Sequence, residues 1–163
     1  MPPFNLWSYG LTESQLKGYK FESWVVVQFC QLGFELLDWR SDKRVECFVP
    51  RSNQYPDLEF SLPGTVPGNY RRFAVECKWR QTFNDYTWKW IDSDQRLQYL
   101  IYSHNEKVPI YLAIGIGGEP DDPHMNYLIP FEAIESGSSI TPKWANSYRW
   151  PLPSDLQTFI VAA

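Results

Sequence analysis

The sequence predicts an α/β domain built around a mixed β-sheet with helices on its flanks. Three observations carry this expectation. Segments of helical and strand periodicity follow one another in the order helix, strands, helix, strand, strand. Two of the strand-like segments are joined by the turn-rich stretch Pro63-Gly64-Thr65-Val66-Pro67-Gly68-Asn69, the pattern of an antiparallel hairpin. A later run from Val108 to Ile114 is nearly continuous in apolar residues, as in a central strand covered on both faces.

The first helix is expected from about Ser14 to Leu32. Phe21, Trp24, Val25, Phe29 and Leu32 recur at helical spacing, and Gly33 stands where the helix would stop. Thr12 followed by Gln15 makes a capping box, although Gly18 weakens the first turns. A strand over Phe34 to Trp39 comes next. The hairpin then pairs the alternating segment Leu58-Glu59-Phe60-Ser61-Leu62 with a strand over Arg71 to Arg80. A second helix is expected from about Ser93 to Asn105, with Leu97, Leu100 and Ile101 on one side. After the apolar run, Gly115-Ile116-Gly117-Gly118 reads as a turn, since neither a helix start nor a phosphate-loop lysine follows it. Asn126-Tyr127-Leu128-Ile129 reads as a short strand. From Glu119 on, recurrent prolines predict loops and short elements. One domain over 1–163 is expected, with its core at about 12–135 and a proline-rich end at 136–163.

Composition sets the outer bounds. The chain has 163 residues, 44% of them hydrophobic and 17% aromatic, enough for a packed core. No run approaches the roughly 18 consecutive apolar residues of a membrane helix. The N-terminal residues lack the layout of a secretory signal. Cys30, Cys47 and Cys77 are widely spaced in apolar or strand-like surroundings and read as reduced core thiols, so a cytoplasmic location is expected. Without a CxxC pair, and with only His104 and His124, a structural zinc site is not expected. The net charge of −4 weighs mildly against generic nucleic-acid binding. Basic residues nonetheless cluster at Arg40, Lys43, Arg44 and Arg51, and again at Arg71, Arg72, Lys78 and Arg80. Such clusters either contact phosphates or form a solvated surface. Tyr86, Trp88 and Trp90 have two uses open to them, stacking on unpaired bases or packing in the core, and core packing is the commoner.

The chemistry centres on the hairpin. Side chains alternate along a strand, so Phe73, Val75, Cys77 and Trp79 share one face while Arg72, Ala74, Glu76, Lys78 and Arg80 share the other. Glu76 and Lys78 thus project side by side. Across the hairpin, Asp57 follows Pro56 at the mouth of the partner strand, where the simplest register brings its carboxylate toward Glu76. Two carboxylates facing one pocket repel each other, and a hard divalent cation such as Mg2+ relieves this with oxygen ligation. Lys78 beside them is placed to orient or deprotonate a water, or to offset charge on a phosphate. The bland alternative is a solvated strand face carrying a surface ion pair.

Pro56-Asp57 followed by Glu76-Cys77-Lys78 in an apolar strand resembles the motif of the PD-(D/E)xK, or restriction-endonuclease-like, nuclease superfamily. The resemblance implies a restriction-endonuclease-like core whose antiparallel hairpin carries the active site. Gly18-Tyr19-Lys20-Phe21-Glu22 resembles the early helix that donates a further acid, which makes Glu22 a third candidate metal ligand. A solvent-facing role for Glu22 is equally open. Gln95-Arg96-Leu97-Gln98-Tyr99 is similar to the Q-x-x-x-Y pattern of RecB-like members, with Gln95 as the functional position and Gln98 as its competitor. Val75 to Arg80, with the strand from Pro109 to Gly117, is similar to the Holliday-junction-resolvase and Mrr-like branches.

The expectation is therefore a Mg2+- or Mn2+-dependent deoxyribonuclease. Asp57, Glu76 and Glu22 would be metal ligands, Lys78 the catalytic cation and Gln95 a supporting group. DNA is the expected partner, with a homodimer or a larger DNA-processing complex as possible assemblies. The rival is a nuclease-fold protein without turnover, serving as a nucleic-acid-binding or protein-interaction module.

Overall fold

The computed structural model of the chain describes residues 11–40, 55–62, 71–82, 90–134 and 140–150. The hairpin turn at 63–69, Tyr86, Trp88, Cys47, Lys43, Arg44 and Arg51 lie outside the described residues, as do 136–139 and 151–163.

Helix α1 (Glu13–Gln31) starts with the expected capping box. The Thr12 hydroxyl accepts from the Gln15 amide at 3.2 Å, and the Gln15 side chain accepts from the Thr12 amide at 2.9 Å. The helix ends before Gly33, whose φ of +85° suits a residue without a side chain. Phe21, Val25 and Phe29, four residues apart, are its buried stripe.

Strands β1 (Glu35–Trp39), β2 (Leu58–Ser61), β3 (Arg72–Arg80), β4 (Ile110–Glu119) and β5 (Asp122–Pro130) form one sheet in the order β1-β2-β3-β4-β5. Every pairing is antiparallel except β3 with β4, so the sheet is mixed and β3 is central. A parallel pair requires a crossover, and helix α2 (Ser93–Glu106) lies between these two strands in the chain. The short helix α3 (Pro142–Ala145) and two 3-10 turns, Phe131–Ala133 and Asn146–Tyr148, follow the sheet.

The two faces of the sheet are dressed differently. Under α1, Leu58, Phe60, Phe73, Val75, Tyr111 and Ala113 pack against Phe21, Val25 and Phe29. On the opposite face, Ala74 and Ile110 pack with Tyr99 and Tyr102 of α2, and Leu112, Ile114 and Ile116 form a further cluster with Trp90. Gly115 of β4 lies directly beneath Phe21, where even a methyl group would collide with the ring.

Four expectations are corrected. Gly115 to Gly118 is strand, because β4 runs to Glu119 and turns through Pro120-Asp121 into β5. That final strand starts at Asp122, well before Asn126; it is the edge of the described sheet, where Pro123 and Pro130 are tolerated. Leu97, Leu100 and Ile101 face outward, 55%, 40% and 45% exposed, because α2 turns Tyr99 and Tyr102 inward onto buried carboxylates. Cys30 is exposed and not a core thiol, while Cys77 is half-buried; both are free.

Candidate active site

The hairpin register sets the site. Leu58 pairs with Val75 and Glu59 with Ala74, so the next residue outward from β2, Asp57, comes level with the Glu76 region of β3. The Asp57 carboxylate accepts from the backbone amide of Cys77 at 2.8 Å. Glu22, one residue past the buried Phe21, leans from α1 toward the same end of the sheet, and Gln95 arrives on the first turn of α2. Together Glu22, Asp57, Glu76, Lys78 and Gln95 line one cleft of about 880 Å³, bordered by the N-terminal turns of both long helices. Gln98 also reaches it.

Glu76, only 2% exposed, is the best-held member. Lys78 Nζ stands 2.5 Å from its Oε1, the Tyr99 hydroxyl donates to Oε2 at 2.5 Å, and Gln95 Nε2 lies 3.4 Å from Oε1. Gln95 also donates to the Tyr99 hydroxyl at 3.0 Å, which makes a relay from amide to phenol to carboxylate. The backbone amide of Gln95 is capped by Asp92 at 2.7 Å, fixing where α2 begins and how far Gln95 extends. Glu22 Oε2 accepts from the Trp39 indole N–H at 2.6 Å.

The charge balance is uneven. Asp57 keeps some exposure to the cleft, yet desolvation and the neighbouring charges of Glu76 and Glu22 hold its carboxyl well above the usual range. The Cys77 thiol is pushed up by burial and by the same carboxylates. Burial pulls Lys78 downward, but Glu76 and Asp57 outweigh it and the net shift is upward, so the ammonium stays charged at neutral pH. Tyr99 is raised by burial and by Glu76, and remains a neutral donor. Asp57 and Glu76 thus crowd Lys78, and Glu22 adds a third carboxyl to the same cleft.

That surplus suits a hard divalent cation, which prefers carboxylate oxygens and offsets their repulsion. As the side chains stand, Glu22 is turned to Trp39, Asp57 to Cys77 and Glu76 to Lys78 and Tyr99. No group of three or more Asp, Glu, His or Cys side chains among the described residues is spaced to hold one ion in this arrangement.

Several contributors were not singled out from sequence. Tyr99 was noticed only as the residue one turn beyond Gln95, although the Q-x-x-x-Y spacing is the signal that would have named it as a donor. Trp39 gave no signal, since its partner lies 17 positions away across a helix and a turn. Glu59 lies two positions into the strand from Asp57 and lacks a preceding proline, so the sequence gives it no role in the site. It instead binds Arg40 at 2.6 Å and Arg72 at 2.8 Å, so those two arginines are committed to a buried carboxylate and are not an open phosphate-binding surface. Trp90 is buried, in keeping with core packing.

No protein-family model and no curated protein sequence matches the chain. Among solved structures it is similar to Hjc, a Holliday junction resolvase from the archaeal hyperthermophile Archaeoglobus fulgidus. The TM-score is 0.57 at 16% sequence identity, over 87% of this chain and 96% of that one. At that identity the likeness concerns the fold, and with the mixed five-stranded sheet and its flanking helices it identifies the architecture as restriction-endonuclease-like.

Proposed function

We propose that the chain is a divalent-metal-dependent nuclease of the PD-(D/E)xK type that hydrolyses DNA phosphodiester bonds. The observation that carries this reading is the acidic cleft, in which Asp57 and Glu76 crowd together beside Lys78 and Glu22 lines the same wall. The likeness of fold to a resolvase supports it.

Asp57 and Glu76 would hold Mg2+ or Mn2+, with Glu22 joining from α1 through Oε1 while Trp39 holds its Oε2. The ion, when bound, supplies a Lewis acid that neutralises phosphate charge and activates a water. The protein's own residues do the rest. Lys78, paired with Glu76 at the cleft wall, would offset charge growing on the phosphate. Tyr99 and Gln95 fix the rotamer of Glu76 by occupying the side of the carboxylate that faces α2. The amide of Cys77 does the same for Asp57.

The direct test is incubation of purified protein with plasmid, linear, single-stranded and branched DNA, with and without Mg2+ or Mn2+. Metal-dependent cleavage that disappears in Lys78→Ala is expected. Intact DNA under all conditions, or cleavage indifferent to that substitution, rules the reading out.

One observation favours a second reading, a binding module without turnover: both oxygens of Glu76 are already engaged by protein groups. Calorimetric titration with Mn2+ separates the two. A nuclease shows saturable uptake that is lost in Asp57→Asn, and an inert scaffold shows none.

A further inference from the structure

Strand β1 ends at Trp39, and the contacts of Trp39 and of the next residue, Arg40, lie on opposite faces of the sheet. Each reaches the structure behind one of the cleft's acids. Trp39 pairs with Leu58 and turns toward α1, where its indole N–H donates to Glu22 at 2.6 Å. Its ring is stacked on Tyr19 at 5.2 Å between centroids, which fixes the direction in which the N–H points.

Arg40 turns the other way. Its backbone N–H donates to the carbonyl of Asp57 at 2.7 Å, adding one more bond to the β1–β2 ladder. Its guanidinium donates to the carbonyl of Pro56 at 3.1 Å. The same guanidinium is anchored by Glu59 at 2.6 Å and Asp38 at 2.7 Å, and it lies over the rings of Tyr55 and Tyr102 at 5.7 and 5.6 Å. The planar fork therefore grips the Pro56-Asp57 bend from one side and is itself immobilised from three others. Among the described residues Asp57 has no regular strand partner of its own, and this grip and the Cys77 amide help to fix where its carboxylate stands.

We propose that Trp39 and Arg40 form a positioning bracket for the active site, Trp39 aiming Glu22 and Arg40 aiming Asp57. The proposal rests on the nuclease reading above. Neither residue touches the reacting atoms. Their effect passes through two carboxylates that come from elements far apart in the chain and must be kept at a fixed spacing, as outer-shell partners of ligating groups do.

The test is Mn2+ binding by calorimetry, with thermal unfolding in the absence of metal measured alongside. Trp39→Phe keeps an aromatic ring beside Tyr19 and removes the N–H with part of the indole, and the thermal unfolding reads the packing cost separately. Arg40→Lys keeps a cation for Glu59 but loses the fork that also reaches Pro56. Arg72→Gln is the control: Arg72 binds the same Glu59 at 2.8 Å but has no hydrogen bond or ion pair to residues 56 and 57. The expected result is a fall in Mn2+ affinity of about tenfold for Trp39→Phe and for Arg40→Lys, at the lower end of outer-shell effects. Cleavage should recover in large part at saturating Mn2+. Arg72→Gln should lower the unfolding temperature and leave Mn2+ affinity unchanged.

Wild-type affinity in both bracket variants overturns the proposal while leaving the nuclease reading in place. An equal loss of affinity in Arg72→Gln also overturns it, because general loosening of the Glu59 cluster then accounts for the effect. A wild-type protein that takes up no Mn2+ removes the nuclease reading and the bracket together.

Discussion

Glu59 and Glu76 are buried side by side on the face of the sheet under α2, 4% and 2% exposed, and each accepts a hydrogen bond from a tyrosine of that helix. Tyr102 serves Glu59 and Tyr99 serves Glu76, three residues apart on one helical face. What differs is the company. Glu59 binds two arginines, which also reach Asp38 and Glu106, whereas Glu76 binds one lysine that also feels Asp57. Burial pushes Glu59 up, but the bonds from Arg40 and Tyr102 and the two guanidinium charges outweigh it, and its carboxyl ends below the usual range. Asp57, by contrast, is driven upward. In the first cluster the arginine and tyrosine bonds favour the ionised carboxylate; in the second, burial and neighbouring carboxyls disfavour it. On the nuclease reading proposed above, an ion-pair cluster and a reactive centre are built from the same parts, and the balance of cations to carboxyls distinguishes them.

The largest expected effect is on chemistry. Lys78→Ala should lower the cleavage rate by about a thousandfold, at the upper end for loss of one charge-stabilising group, and should also lower the unfolding midpoint because the buried Glu76 loses its ion pair. Quantified nicking of plasmid DNA measures the first and urea denaturation the second. Glu59→Ala should show the reverse weighting. Removing the carboxylate strands two partly buried guanidinium groups, and the cost should be about 3 kcal/mol, lowered from the buried-pair range because Arg72 is partly solvated. Urea midpoints measure it directly. Since the folded-state pKa of Glu59 is depressed, its contribution is present above the unfolded value of about 4.3 and fades as pH falls below it.

A smaller contrast should appear between the two tyrosines. Tyr102→Phe leaves Glu59 with both arginines and should cost about 1 kcal/mol of stability with no change in Mn2+ affinity. Tyr99→Phe frees an oxygen of Glu76 and should alter Mn2+ affinity more than it alters stability. Equal profiles for the two variants would show that the clusters do not differ in role. The smallest effect has the most informative sign. Without metal, Asp57→Asn should raise the unfolding temperature by about 3 °C at pH 7. A folded-state pKa raised above the unfolded value of about 3.9 contributes stability at low pH, and that contribution is lost as pH rises through the folded value. In the wild type, Mn2+ should recover the loss; in the variant it should not.

Much of this was legible in the chain. The capping box at Thr12, the stop at Gly33, the alternation along β3 and the turn-rich loop are local signals, and each leads to the element observed. From them followed the meeting of Asp57, Glu76 and Lys78, because a hairpin register converts sequence spacing into proximity. What stayed hidden was long-range or depended on polar compensation. Leu97, Leu100 and Ile101 imitate an inward face, and only the buried carboxylates beneath α2 explain why the tyrosines displace them. Arg40 and Arg72 look like surface charge until Glu59 is seen between them. The glycines after Ile114 imitate a turn because a strand's pairing partner cannot be read from the strand alone.

Gly115 shows how far from the chemistry the reach of an acid can be decided. The ring of Phe21 occupies the space that any side chain at position 115 would need, and Glu22 is the next residue on the same helix. The bare backbone of β4 is in effect a gauge block: it sets the height at which α1 rides over the sheet. A single added methyl would wedge the helix outward and carry the third carboxylate away from the other two, though no group in the cleft had been altered.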